Sequence, residues 1–289
     1  MTQARTETLR GSLLMVLAMA AFAFEDMFIK TVARELPVGQ VLILFGLGGM
    51  AIFAVLARAQ GQSLWHPDFC TRPLVLRSLS EVAGRLCYTL AIALTPLSTA
   101  SAILQATPLV VAAGAVVFFG ERVGWRRWLA ISLGFAGVLL ILRPGIGGFE
   151  VASLFAVAGT LGFAGRDLAT RAAPRSMTNM QLGLLGFAML VLAGILALAW
   201  TGGASWPSGR AWLHLSLATG IGVLAYNALT GAMRHGEISV VAPFRYTRLI
   251  FAMALGILVF GERPDVLTLL GSAVIVISGI FTLIRSSKR

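Results

Sequence analysis

Phe119-Gly120-Glu121-Arg122 recurs as Phe260-Gly261-Glu262-Arg263, 141 residues further along the chain. The same offset carries Phe22-Ala23 onto Phe163-Ala164, Asp26 onto Asp167 and Gln40 onto Gln181. A one-residue gap brings Gly137 opposite Gly279. Single matches are common by chance in apolar sequence; one offset holding from the first apolar stretch to the fourth indicates a duplication. Each copy contains five such stretches, at 11–33, 38–58, 73–94, 97–119 and 126–143, then 149–172, 178–200, 210–233, 238–260 and 266–285. A hydrocarbon core about 30 Å thick takes about 20 residues of helix to cross. Five crossings return the chain on the opposite side, so the second copy is inverted. The expected fold is all-α integral membrane: ten transmembrane helices as two inverted five-helix repeats, 1–145 and 146–289, forming one membrane domain. Inverted repeats place a site near the midplane and suit solute transport with alternating access.

Composition agrees. The chain of 289 residues is 57% hydrophobic and 12% charged, and its mean hydropathy of +0.86 is outside the soluble range. Only 59–72 and 201–209 leave sizeable loops, too short for a soluble domain. The net charge of +11 does not point to nucleic acid, because no basic strip is interleaved with aromatics. Most arginines instead fall on the N-terminal side of the membrane, among them Arg5, Arg10, Arg58, Arg72, Arg77, Arg122, Arg166 and Arg175. The positive-inside rule then predicts both termini in the cytoplasm of a bacterium, with this face on the anionic lipid of the inner membrane. The stretch Leu13–Phe24 follows Arg5 and Arg10 like a signal peptide, but its length, Glu25-Asp26 and its match to the sixth stretch predict a retained helix.

Cys70 and Cys87 form no disulfide framework, and His66, His214 and His235 make no ligand set. There is no phosphate-binding glycine loop and no nucleophile elbow, so neither an enzyme nor a resident cofactor or metal is expected. Gly46, Gly48, Gly49, Gly134, Gly137, Gly183 and Gly186 read as close helix seams. Pro108 and Pro243 are expected to kink the fourth and ninth helices. Trp125, Trp128 and Trp206 read as interface anchors.

A charge at membrane depth needs a partner or a wet cavity. Glu81 and Arg85 lie four apart on the third span with Tyr88 beyond them, predicting an ion pair along one helical face. Arg85 sits about 18 Å deep at 1.5 Å per residue. Tyr246 and Arg248 lie on the ninth span, while Arg245 reads equally well as a snorkelling residue near the inner rim. Gln105 on the fourth span, with Tyr226 and Asn227 on the eighth, offers neutral hydrogen bonds. Phe22 and Phe163 occupy equivalent aromatic positions. Asp26 is expected to pair with Lys30, leaving Glu25 as a possible proton-coupling group. Arg166 and Asp167 are expected on the inner rim. The candidate site is therefore Glu81, Arg85, Tyr88, Gln105, Asn227, Tyr246, Arg248, Phe22 and Phe163, with Glu25 in reserve.

The run Leu94-Thr-Pro-Leu-Ser-Thr-Ala-Ser-Ala-Ile-Leu104 with Pro108-Leu109, then Phe119–Arg122, Gly134–Pro144, and the echo Pro243, Phe260–Arg263 and Ser278-Gly279 resembles the drug/metabolite transporter superfamily, in its EamA-type ten-helix branch. The likeness spans the whole chain. It implies a basket in which helices 1–4 and 6–9 surround a central cavity while helices 5 and 10 lie outside. It also implies movement of small organic solutes; one branch exports amino acids, chiefly aromatic ones. Phe22 or Phe24 stands where that branch often has tryptophan, and the buried charges are unusual. The resulting expectation is export of amino acids or related metabolites by rocking of the two halves, with Arg85 or Arg248 on a carboxylate and Glu81 or Glu25 on an amine. Uptake of a larger metabolite such as riboflavin or S-adenosylmethionine is the nearest rival. Multidrug efflux of lipophilic cations is opposed by the arginines, and a membrane assembly role without transport is the reading of another class.

Overall fold

The computed structural model describes residues 3–120, 124–143, 150–171, 177–234 and 241–286. Its helices are α1 (Gln3–Val32), α2 (Val38–Ala59), α3 (Arg72–Leu94), α4 (Leu97–Phe119), α5 (Trp125–Leu142), α6 (Ser153–Arg171), α7 (Asn179–Thr201), α8 (Gly209–Arg234), α9 (Thr247–Phe260) and α10 (Val266–Ser286). Lipid offers no partner to a bare peptide group, so each crossing satisfies its backbone within itself. Five helices (α1, α2, α4, α7, α8) are long and apolar enough to cross a membrane. The charges of α3 and α6 set those two apart, and they pack on each other inside the bundle. The protein is a multi-pass membrane protein. Glu121, Arg122, Pro144, Arg175, His235 and the 145/146 boundary lie outside the described residues.

The principal contacts are α3 on α6, α1 on α8, α2 on α7 and α5 on α10, followed by α1 on α9, α3 on α7, α4 on α6, α2 on α8 and α4 on α9. Five added to each helix number maps this set onto itself: α3–α6 becomes α8–α1, and α2–α7 stays α2–α7. Equivalent helices run antiparallel. Gly39 of α2 lies against Gly194 and Leu198 of α7, whereas Gly46 lies against Phe187 and Val191. The equivalent glutamines behave alike. Gln40 holds Ser205 beyond α7 through both amide atoms, and Gln181 donates to the Ser63 carbonyl beyond α2 at 2.9 Å.

The helices form two symmetry-related bundles, α1-α2-α8-α9 and α3-α4-α6-α7, each drawn from both repeats and joined to the other by α2 on α7 and α4 on α9. The seam between α3 and α6 is as close as glycine allows, because a Cβ on Gly162 would meet the backbone of Gly84. α5 and α10 lie outside, joined by Gly137 and Gly271.

Both fourth-position helices are broken, as Pro108 and Pro243 predict. α4 consists of Leu97–Leu104 and Thr107–Phe119, with Pro108 in the first turn of the second segment. α9 follows a 3₁₀ turn at Ala242–Tyr246 with Pro243 near its start. The prolines are not equivalent, yet the breaks are: Gln105-Ala106 corresponds to Tyr246-Thr247. The repeated Phe-Gly has a plain cause. Gly120 (φ 62°) and Gly261 (φ 66°) end α4 and α9 in the left-handed conformation, which only glycine takes at no steric cost.

Candidate functional site

A cavity of about 500 Å³ lies where the bundles meet. Eight of the ten candidates line it: Phe22, Glu81, Arg85, Tyr88, Gln105, Phe163, Tyr246 and Arg248. Helical spacing accounts for the α3 set, since residues 81, 85 and 88 share a face. Glu25 sits just behind the wall, 1% exposed. Asn227 is not among the lining residues. Its amide donates to the Val223 carbonyl at 3.0 Å, one turn back, and its neighbour Tyr226 faces the cavity instead.

The charges form two levels. At the deeper level Arg85 pairs with Glu25 at 2.9 Å, joining α3 to α1. Asp26 accepts from Arg248 at 2.6 Å and from the Tyr88 hydroxyl at 3.1 Å. The Arg248 guanidinium also lies 5.1 Å from the Phe22 ring centre, and Tyr88 meets Phe163 edge-on. Two expectations fail here. Asp26 does not pair with Lys30; its partners are Arg248 and Tyr88. Glu81 does not pair with Arg85 either, because each reaches across to another helix, where it crosses an interface rather than bonding along one surface.

At the second level, nearer the N-terminal end of α3, Arg166 lies 3.4 Å from Glu81 and 2.8 Å from Asp167. Asp167 reaches Arg245 only at 4.0 Å. Arg77 donates to the Thr170 hydroxyl at 3.1 Å, and one of its Nη atoms has no partner among the described residues. Arg166, Asp167 and Arg245 thus line the cavity. Arg77 does too, and its spacing four before Glu81 and eight before Arg85 signals it in the sequence. Tyr246 is bound differently from expectation: its hydroxyl lies against Gly279 of α10, where any side chain would collide with it. It helps fix α10 rather than presenting a phenol to the cavity.

The symmetry is broken in charge. Glu25-Asp26 in α1 corresponds to Arg166-Asp167 in α6, so one sign is reversed at equivalent positions. Arg85 corresponds to Tyr226 and Glu81 to Gly222.

The cavity extends toward the end that carries the N-terminus, past Arg77, Thr170 and Asn179. The other end is closed around the Thr95-Pro96 corner. Lys30 donates to the carbonyls of Ile92 and Thr95 at 2.8 and 2.5 Å, capping the C-terminus of α3. Glu262 accepts from Leu97 N at 2.6 Å, Ser98 N at 3.0 Å and the Ser98 hydroxyl at 2.7 Å, capping the N-terminus of α4. A cation at a helix C-terminus and an anion at an N-terminus each meet the favourable end of the dipole. Lys30 and Glu262 lie 3.9 Å apart, so one pair closes both ends of the corner. Among the described residues no cluster of metal-ligating side chains occurs.

Known proteins resemble this chain. Over 282 residues the chain is 28% identical to the pseudopaline exporter CntI of Pseudomonas aeruginosa, covering 96% of this chain and 97% of that one. It is 28% identical to a riboflavin transporter of Rhizobium johnstonii, with 96% and 92% covered. An S-adenosylmethionine uptake transporter of Rickettsia felis is 27% identical, with 75% and 74% covered. A solved crystal structure matches 99% of both chains with a TM-score of 0.65 at 19% identity, a likeness of fold alone. The profile of the EamA-like transporter family matches residues 9–143 and again 150–284, and the chain belongs to that family.

Proposed function

We propose that this chain is a secondary transporter of the bacterial inner membrane, exporting amino acids or related carboxylate-bearing metabolites by alternating access. The observation that carries the reading is a cavity of about 500 Å³ at the junction of two symmetry-related bundles, with arginine guanidiniums in its wall. The volume is within the usual range for small-molecule sites. Arg85 and Arg248 supply planar forks for a carboxylate, Glu81 answers an amine, and Gln105 and Tyr88 orient the solute. Glu25 holds Arg85 until a solute carboxylate competes for it, and its protonation would release the same arginine. Phe22 and Phe163 provide apolar walls.

With both termini in the cytoplasm, the division into repeats 1–145 and 146–289 gives an inward-open state sealed by Lys30 and Glu262. Outward opening would separate α1-α2-α8-α9 from α3-α4-α6-α7 at that seal and close them past Arg77 and Thr170. Similarity to riboflavin and S-adenosylmethionine carriers supports a second reading, uptake of a larger metabolite.

Flux into proteoliposomes decides between them, using labelled amino acids, riboflavin and S-adenosylmethionine with Arg85→Ala beside the wild type. Amino-acid flux abolished in a folded Arg85→Ala supports the proposal. Flux of the larger metabolites alone replaces it with uptake. Absence of any flux from folded protein overturns the transport reading.

A further inference from the structure

The deeper charge level is balanced, since Glu25 takes Arg85 and Asp26 takes Arg248. The second level is not. Glu81 and Asp167 both turn to Arg166, leaving Arg77 and Arg245 without a carboxylate closer than 4.0 Å among the described residues. Arg77 is only 5% exposed, yet its hydrogen-bond partner among the described residues is the neutral hydroxyl of Thr170. A buried guanidinium with an unpartnered Nη is costly, and its planar fork matches a carboxylate. Arg245 lines the same end of the cavity from the opposite bundle. Glu81 and Asp167, sharing one arginine, retain acceptor capacity for an ammonium.

We propose that the solute is an acid with two carboxylates, one held by Arg77 and the other by Arg245, with an amine between them facing Glu81 and Asp167. This rests on the transport reading above, takes Arg77 and Arg245 in place of Arg85 and Arg248 as the carboxylate holders in this state, and narrows the solute to dicarboxylic amino acids and larger acids of that pattern. Because Arg77 belongs to one bundle and Arg245 to the other, a two-headed acid spans the seam. A monocarboxylate reaches only one side.

The test is proteoliposome flux of labelled L-glutamate, L-leucine and L-arginine through the full chain, wild type beside Arg77→Gln, Arg245→Gln, Arg77→Lys and Arg245→Lys, with thermal unfolding to verify each fold. Glutamate should move roughly tenfold faster than leucine or arginine at equal concentration, the loss of one charge-assisted contact being worth about that factor. Each Gln variant should raise the glutamate KM roughly tenfold, and each Lys variant should recover part of it. Should Arg77→Gln fail to fold, Arg77→Lys and Arg245→Gln carry the same readout. Leucine or arginine moving as fast as glutamate, or an unchanged glutamate KM in the folded Gln variants, overturns the two-carboxylate proposal and leaves transport intact. Flux of none of the three from folded wild type overturns the dicarboxylate proposal, and riboflavin or S-adenosylmethionine flux in the same vesicles then separates that failure from failure of the transport reading.

Discussion

Gln105 donates its side-chain amide to the backbone carbonyl of Arg245 at 3.2 Å, joining the break in α4 to the break in α9. The breaks are equivalent in the two repeats, and they touch across the bundle seam. A helix interrupted at membrane depth needs other partners for the groups it frees, and here each break helps to satisfy the other. Gln105→Leu should therefore cost about 1 kcal/mol. That corresponds to a drop of roughly 2–4 °C in unfolding temperature for a chain of this size. A melt of detergent-solubilised protein checks it, and an unchanged temperature would show the contact to be incidental.

Arg85 and Glu25 form a buried pair between bundles, so removal of one member should be worse than removal of both. Arg85→Ala alone leaves a carboxylate 1% exposed and uncompensated, a loss of about 3–5 kcal/mol. The double variant Glu25→Gln/Arg85→Gln should regain much of this, as a double-mutant cycle on thermal unfolding would measure. Additive losses would mean that the two groups do not depend on each other.

Glu262→Gln should weaken the seal on α4 and shift the protein toward opening at that end. Losing a charged cap costs about 1–2 kcal/mol, enough to change a two-state population roughly tenfold. The readout is labelling of a cysteine placed at Thr99 by a membrane-impermeant maleimide, in a background without Cys70 and Cys87. Labelling should rise in Glu262→Gln. Equal rates would place the seal elsewhere.

Outside the membrane, the Asp265 carboxyl is lowered to about 2 by hydrogen bonds from Arg143 and from Thr268. A depressed carboxyl contributes its stability above its unfolded value of 3.8 and loses it as pH falls toward 2. Arg143→Ala should lower the unfolding temperature by a constant small amount from pH 8 to pH 5. That difference should vanish only in stronger acid. A difference already fading at pH 6 would contradict this assignment.

The ten crossings were legible because membrane helices need long apolar runs and short polar turns. All ten predicted spans begin or end within a few residues of a described helix; that at 238–260 is described only from 241, where a 3₁₀ turn precedes its helix. The α3 candidates were legible because four-residue spacing forces Glu81, Arg85 and Tyr88 onto one face. What spacing does not reveal is the partner. Asp26 had Lys30 one turn away, but Lys30 reaches the end of α3 at Thr95, and Arg248 arrives from a helix 222 residues later. Arg166 lies near the end of its span, and only the glycine seam between α3 and α6 shows that it reaches Glu81. Tyr246 read as a solute ligand, and only the approach of Gly279 shows where its hydroxyl goes.

The sign reversal between Glu25 and Arg166 has a thermodynamic corollary. In a perfectly symmetric inverted repeat, the two access states are the same object turned over, equal in energy and in affinity for the solute. Here the turned-over state would present an arginine where the first presents a glutamate. The degeneracy is lifted, the empty protein has one preferred resting orientation, and half-saturation must differ on the two faces. A carrier of this kind cannot move its solute uphill without coupling, but it can wait on one side of the membrane in preference to the other.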